Sequence, residues 1–85
     1  MQEEVIGEIR NWLEETIKKV VGNPETVIVS HDISTKHIIY RITCSEGDRG
    51  KIIGKTGRTI EALRTICAAL KKANSTKQIQ LEVME

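Results

Sequence analysis

Aromatic side chains are almost missing from this sequence. Its 85 residues include no phenylalanine, one tryptophan (Trp12) and one tyrosine (Tyr40). Stacking on aromatic platforms, worth roughly 1–3 kcal/mol per nucleobase where it occurs, is therefore largely excluded as a means of binding. Long apolar runs are missing too, and no stretch approaches the ~20 residues that span a bilayer. The opening MQEEVIGEIR carries acids where a secretory signal needs a basic start and an apolar stretch. A cytoplasmic address without membrane association is expected. Cysteine is scarce: Cys44 and Cys67 lack a CxxC spacing and sit in the apolar contexts RITCS and TICAAL. They read as reduced thiols packed as small hydrophobes. His31 and His37 flank a polar turn with no carboxylate or thiol cluster beside them, so no metal and no cofactor is expected.

What is present is an ordinary globular composition in a chain short enough for one domain, residues 1–85, around one modest core. The net charge of +1 conceals a segregation. Residues 1–25 hold six acids and three bases, a balance of −3, whereas residues 41–77 hold nine bases and three acids, a balance of +6. A basic face for a polyanion, with an acidic face turned away from it, is the functional reading; solvated helix surfaces are the plain one.

Val5, Ile6, Ile9, Trp12, Leu13, Ile17, Val20 and Val21 recur at three- and four-residue intervals. They predict an amphipathic helix from about Glu3 to Val21, with Gly22 as a left-handed cap and Pro24 barring continuation. TVIVSH (26–31) and HIIYRITC (37–44), β-branched and separated by DISTK, predict an antiparallel hairpin. In the second strand Ile38, Tyr40, Ile42 and Cys44 share one side. EGDRGKIIG can make about two helical turns. Ile60, Leu63, Ile66, Cys67 and Leu70 then mark a second long helix to about Ala73, and KQIQLEVME alternates as a strand with Ile79, Leu81 and Val83 inward. The order is helix, strand, strand, short helix, Gly-rich turn, helix, strand. Three strands with three helices on one face make a two-layer α+β domain.

The Gly-rich stretch GKIIGKTGRTI (50–60) admits two readings. A phosphate-binding P-loop requires Gly-x-x-x-x-Gly-Lys-Ser/Thr after a buried strand. Five residues before Gly54 stands Arg49, and Gly50 comes one position too late, so that reading fails. The Gly-x-x-Gly reading fits. Gly54 and Gly57 let the chain turn sharply between two helices and, lacking Cβ, let a sugar-phosphate backbone lie against them. The positive end of the following helix dipole favours a phosphate near Gly57 and Arg58. Lys55 and Thr56 add a charge and a hydroxyl at the tip. No nucleophile–base arrangement accompanies the turn, so no catalytic residue and no enzyme activity is expected.

The segment Ile53-Gly54-Lys55-Thr56-Gly57-Arg58-Thr59-Ile60, preceded by Gly50 and followed by an amphipathic helix, closely resembles the Ile-Gly-x-x-Gly-x-x-Ile signature of KH domains. A helix and a strand ahead of the β-α-α-β core resemble the bacterial type II arrangement, a three-stranded mixed sheet with three helices on one face. The short length and the GNPE after the first helix resemble small single-KH RNA-binding proteins of the KhpA (YlqC-like) type. This resemblance covers essentially the whole chain. It implies an RNA chaperone or post-transcriptional regulator whose loop clamps about four nucleotides of single-stranded RNA.

By position the resemblance assigns that clamp to Gly54, Lys55, Thr56 and Gly57, with Gly50 beside it and Arg58 as a phosphate contact. Lys51 is either a phosphate contact or a solvated lysine, and Lys77 is a weaker candidate. Ile52 is either an apolar floor under a base or core, with Ile53 and Ile60 read as core. The far wall of the groove falls to the last strand and the loop NSTK. Binding by the isolated domain is expected to be weak, about micromolar or weaker, with a log K against log salt slope of roughly −2 for three phosphates. Avidity compensates for such affinity. The resemblance implies a homodimer or a hetero-complex with a larger KH-containing RNA-binding protein, with Trp12 either a contact or a core anchor. The competing reading is a protein-interaction or ribosome-associated assembly module whose RNA contacts are secondary.

Overall fold

Helix α1 spans Gln2–Lys18 and buries Ile6, Ile9, Leu13 and Ile17, one residue per turn along its inner stripe. The computed structural model describes residues 2–71 and 76–84. α1 ends three residues sooner than its apolar pattern predicts. Beyond Lys18 the chain tightens into turns closed by bonds from Lys19 and Val20 to the carbonyls of Thr16 and Ile17, and Val20 is left exposed. Gly22 is not a left-handed cap, because only Gly54 and Gly57 among the described glycines have positive φ. Its N–H instead bonds the carboxylate of Asp48, which ends the helix by a tertiary contact.

After a short 3₁₀ turn at Pro24–Thr26, β1 (Ile28–Ile33) and β2 (His37–Thr43) form the antiparallel hairpin, Val29 opposite Ile42 and His31 opposite Tyr40. The turn is tighter than DISTK suggests. Asp32 and Ile33 remain paired with β2, and the Ser34 N–H bonds the His37 carbonyl at 2.8 Å. A second 3₁₀ turn (Glu46–Asp48) leads into α2 (Arg49–Ile53), and a third (Lys55–Gly57) leads into α3 (Arg58–Lys71). The chain returns as β3 (Gln78–Val83), parallel to β2 with Ile38 beside Ile79 and Ile42 beside Val83. The sheet order β1-β2-β3 is therefore mixed, and the element order is that of a type II KH fold.

Ile38, Tyr40 and Ile42 of the central strand are fully buried against the helical layer, as their shared side predicts. Burying each such side chain contributes roughly 1.5–3 kcal/mol. Tyr40 brings a polar atom into that layer and satisfies it by donating its hydroxyl to the Ile6 carbonyl at 2.9 Å. On the opposite face Arg41 lies between carboxylates from both neighbouring strands, Asp32 and Glu82. β1 is an edge strand, and α1 covers it at one point. Glu14 accepts the Val29 N–H at 3.1 Å while Arg10 donates to the Val29 carbonyl at 2.8 Å. Both outward polar groups of that residue are thereby satisfied, which blunts the edge.

α3 departs from its expected stripe. Leu63 and Cys67 are buried, but Ile66 and Leu70 are about two-fifths exposed. The contact with α1 and β3 is narrow, one residue per turn, and leaves the flanking positions uncovered. The helix end expected near Ala73, and Lys72, lie outside the described residues.

Candidate nucleic-acid interface

The turn between α2 and α3 is built from unusual backbone. Gly54 (φ 79°, ψ 171°) and Gly57 (φ 78°) occupy conformations that side chains disfavour, and between them Thr56 sits at φ 55°, ψ 26°. A β-branched residue in the left-handed region is strained, and such strain collects at functional sites. Gly54 has a steric reason as well: a Cβ there would stand 2.7 Å from the Cβ of Thr59 and 2.8 Å from its backbone nitrogen. At Gly57 and Gly50 an added Cβ would meet nothing within 4 Å. Their open space is therefore available to something other than protein.

Lys55, Thr56 and Arg58 are all exposed at the tip. Among the described residues neither Lys55 nor Arg58 makes a salt bridge, whereas Arg41, Lys51 and Arg64 all do. The fourteen-residue α3 begins at Arg58, so the positive end of its dipole adds to these two cations.

Lys51 points elsewhere. Its ammonium lies 3.5 Å from Asp48, a carboxylate only 2% exposed. Asp48 also accepts the backbone N–H groups of Gly22 and Asn23 and the Ser45 hydroxyl, each at 2.9 Å. The Gly22 N–H, followed by those other donors, holds its pKa down at about 2, against an ordinary 3.8. Asp48 thus fastens the segment after α1 to the start of α2, and fixes the height at which the glycine turn is presented.

The isoleucines divide otherwise than the sequence suggests. Ile52 is 1% exposed and belongs to the core, so it offers no floor to a base. Ile53 and Ile60, read as core, are each half-buried beside the turn. The helical period turns Ile52 inward and leaves its successor partly exposed. Trp12 is partly buried against the core. Lys77 donates to the Ser34 carbonyl at 2.7 Å, and residues 74 and 75 of the loop NSTK lie outside the described set.

At the opposite end of α2 the sequence points to Gly50 and misses the residues around it. Arg49, Gly50, Cys44, Glu46 and Met84 line a cleft of about 480 Å³, and Arg49, Glu82, Val83 and Met84 line an adjoining one of about 560 Å³. Together they continue the groove between α2 and the end of β3. Only the high share of bases in residues 41–77 pointed to Arg49. Cys44 is half-buried here, and desolvation, then the negative charge of Asp48, pushes its thiol pKa up. Among the described residues no group of three or more metal-binding side chains gathers, and no helix is long and apolar enough to cross a membrane.

The arrangement agrees with the comparisons. The pattern of the KhpA/KhpB KH domain matches residues 10–83. The RNA-binding protein KhpA of Chlamydia trachomatis is 40% identical over 91% of this chain and 97% of its own, and that of Chlamydia caviae is 42% identical over the same shares. The RNA-binding protein KhpA of Listeria monocytogenes is 35% identical over 81% of this chain and 90% of its own. No solved structure matches the chain. A strained Gly-x-x-Gly turn between two helices, on a type II sheet and within a match covering most of the sequence, makes this chain a member of the KhpA/KhpB KH-domain family.

Proposed function

We propose that this protein binds RNA, gripping short single-stranded segments by their backbone through the turn Gly54–Gly57, and that it serves as an RNA chaperone or post-transcriptional regulator. The observation that carries the reading is the turn itself: two glycines and a strained threonine hold an exposed tip over open space, with the cations Lys55 and Arg58, which make no salt bridge among the described residues. The names of the KhpA relatives support it. Phosphates rest at Gly54, Lys55, Thr56, Gly57 and Arg58, while Gly50 leaves the strand room to pass. Lys51, tied to Asp48, acts by position rather than by contact. The chemistry asks for binding and no bond making, and the chain works in the cytoplasm as a non-enzymatic module.

Single-domain affinity of this kind gains from pairing. Ile66 and Leu70, one turn apart and exposed on α3, offer an apolar seam to a second copy or to a larger KH-containing RNA-binding protein. The test is fluorescence anisotropy of a pool of short single-stranded RNAs at two salt concentrations, comparing the wild type with a Lys55→Asp/Thr56→Asp variant. Circular dichroism checks that the variant folds. Salt-sensitive binding that disappears in the folded variant is the expected result. Equal binding by both proteins, or none by either, would move the function to protein partners.

A further inference from the structure

The basic residues from Arg41 to Arg64 are disposed in three ways. Arg41, Lys51 and Arg64 are neutralised by carboxylates of this chain, and Lys55 and Arg58 are exposed at the tip with no salt bridge among the described residues. Arg49 follows neither pattern. It is half-buried at the first turn of α2, and its Nη2 makes one long hydrogen bond, 3.4 Å, to the Val83 carbonyl of β3. Its Nε is buried and has no hydrogen-bond partner among the described residues. A buried donor left without a partner is costly, and a guanidinium carries five N–H donors in a planar fork. Arg49 is thus held by its stem and one nitrogen at the wall of the two clefts that it lines, its Nε closed to any ligand and its Nη end the part of the fork left to take one.

Phosphate is a poor partner for that fork. Glu46 lies in the same cleft and makes no salt bridge among the described residues, so its charge would repel an anion. A free carboxylate beside an unsatisfied guanidinium instead complements an uncharged base that offers acceptors on one edge and donors on the next. Among the bases guanine presents this most fully. Its O6 and N7 accept from arginine in the commonest specific pairing known for that side chain, and its N1–H and N2–H₂ donate to a carboxylate. Adenine places a donor where guanine has O6. Cys44 and the thioether of Met84 give the base an apolar surface in place of an aromatic one. Arg49 precedes Gly54 by five residues, ~7.5 Å along a helix, within the four-nucleotide span of a Gly-x-x-Gly clamp.

We propose that Arg49, with Glu46 in the same cleft, reads two adjoining edges of a guanine in the bound strand, so that guanine-containing single-stranded RNA is the preferred ligand. The proposal rests on the clamp reading given above. It assigns the choice of base to the start of α2 and the grip to its far end.

The experiment uses the full chain and fluorescein-labelled heptamers of uridine whose central position is guanosine, inosine, adenosine or cytidine. Wild type, Arg49→Lys, Glu46→Gln and the Lys55→Asp/Thr56→Asp variant are compared by anisotropy. Wild type should prefer guanosine over adenosine by roughly 5- to 150-fold, the range of one good bidentate contact. Arg49→Lys keeps the charge and loses the planar fork. It should bind the adenosine strand as wild type does and lose the preference. Glu46→Gln should remove the advantage of guanosine over inosine, which lacks the N2 amino group. Wild-type binding without a base preference, a preference for cytidine, or equal weakening of all strands by Arg49→Lys would overturn the proposal and leave the clamp standing. No binding of any strand by wild type would overturn the clamp, and this proposal with it. Were Arg49→Lys unable to fold, the wild-type base series would decide alone.

Discussion

Asp48, buried at the entrance to α2, accepts the backbone N–H of Gly22, twenty-six residues earlier in the chain, at 2.9 Å. The bond links the end of the acidic first helix to the base of the glycine turn. The second oxygen takes Asn23 N–H and the Ser45 hydroxyl, so both oxygens are fully used. A carboxylate in this position specifies geometry, since any shift of α2 breaks several bonds together.

A pH dependence follows from it. The folded-state pKa of about 2 lies below the ordinary 3.8, so the contribution of Asp48 to stability is complete above about pH 4. It is lost as the pH falls from there through about 2, because the unfolded chain takes up the proton first. Thermal melts of wild type between pH 2 and pH 5 should show this loss. Asp48→Asn should melt lower at pH 7 and vary less across the same window. Parallel curves for the two proteins would show that Asp48 does not govern the acid limb.

Gly50 and Gly54 separate stability from binding. Ala at Gly54 would have to adopt φ 79° and overlap Thr59, so Gly54→Ala should cost at least ~1–2 kcal/mol of folding stability. Gly50 is helical with open space around it. Gly50→Ala should therefore raise stability, by roughly 0.5–1 kcal/mol. If a sugar-phosphate chain passes over it, the same methyl should weaken RNA binding. Chemical denaturation and anisotropy on the two variants check both directions. A Gly50→Ala variant that is more stable and binds RNA as well as wild type would remove Gly50 from the interface.

Much of this was legible in the sequence, and what was not has a common cause. The periods of Ile6, Ile9, Leu13 and Ile17 and of Ile38, Tyr40 and Ile42 report burial directly, because a helix or strand side that faces a core must be apolar throughout. The spacing of Gly54 and Gly57 likewise reports a backbone requirement. Element ends were less legible: α1 gives way to turns after Lys18, and the Gly22 N–H beyond them goes to Asp48, a partner distant in sequence. The same holds for charge. Lys51 and Arg49 are alike in a composition count, yet one is bound to a buried aspartate and the other opens into a cleft. Nor does a run such as Lys51-Ile52-Ile53 in a five-residue helix say which isoleucine turns inward.

The free cations at the tip predict a salt signature. Lys55 and Arg58 have no competing carboxylate among the described residues, so each should release about one counterion when a phosphate binds. For single strands each such contact adds roughly −0.7 to the slope of log K against log salt. Lys55→Ala and Arg58→Ala should each make the slope shallower by about that amount. Lys51→Ala, by losing a bond to Asp48 rather than to RNA, should leave the slope unchanged. Titrations between low and moderate salt measure it. A slope altered by Lys51→Ala and untouched by Arg58→Ala would reverse the assignment.

The two cysteines supply a footprint of the groove without an added label. Cys44 lines the cleft beside Gly50 and Met84, whereas Cys67 is completely buried. The thiolate is the reactive form. Burial pushes the Cys67 thiol up to about 12, which together with its inaccessibility keeps it inert in the folded protein. Desolvation and then Asp48 push Cys44 above the ordinary thiol value of 9.0 as well. Its alkylation should be slow at pH 7 and accelerate as the pH rises past 9. With single-stranded RNA bound along α2, alkylation of Cys44 should slow further, and the loss of protection in Lys55→Asp/Thr56→Asp should match its loss of affinity. Mass spectrometry of the alkylated protein gives both sites in one measurement. Cys44 reacting at the same rate in free protein and in a saturated complex would show that the bound strand does not enter this cleft.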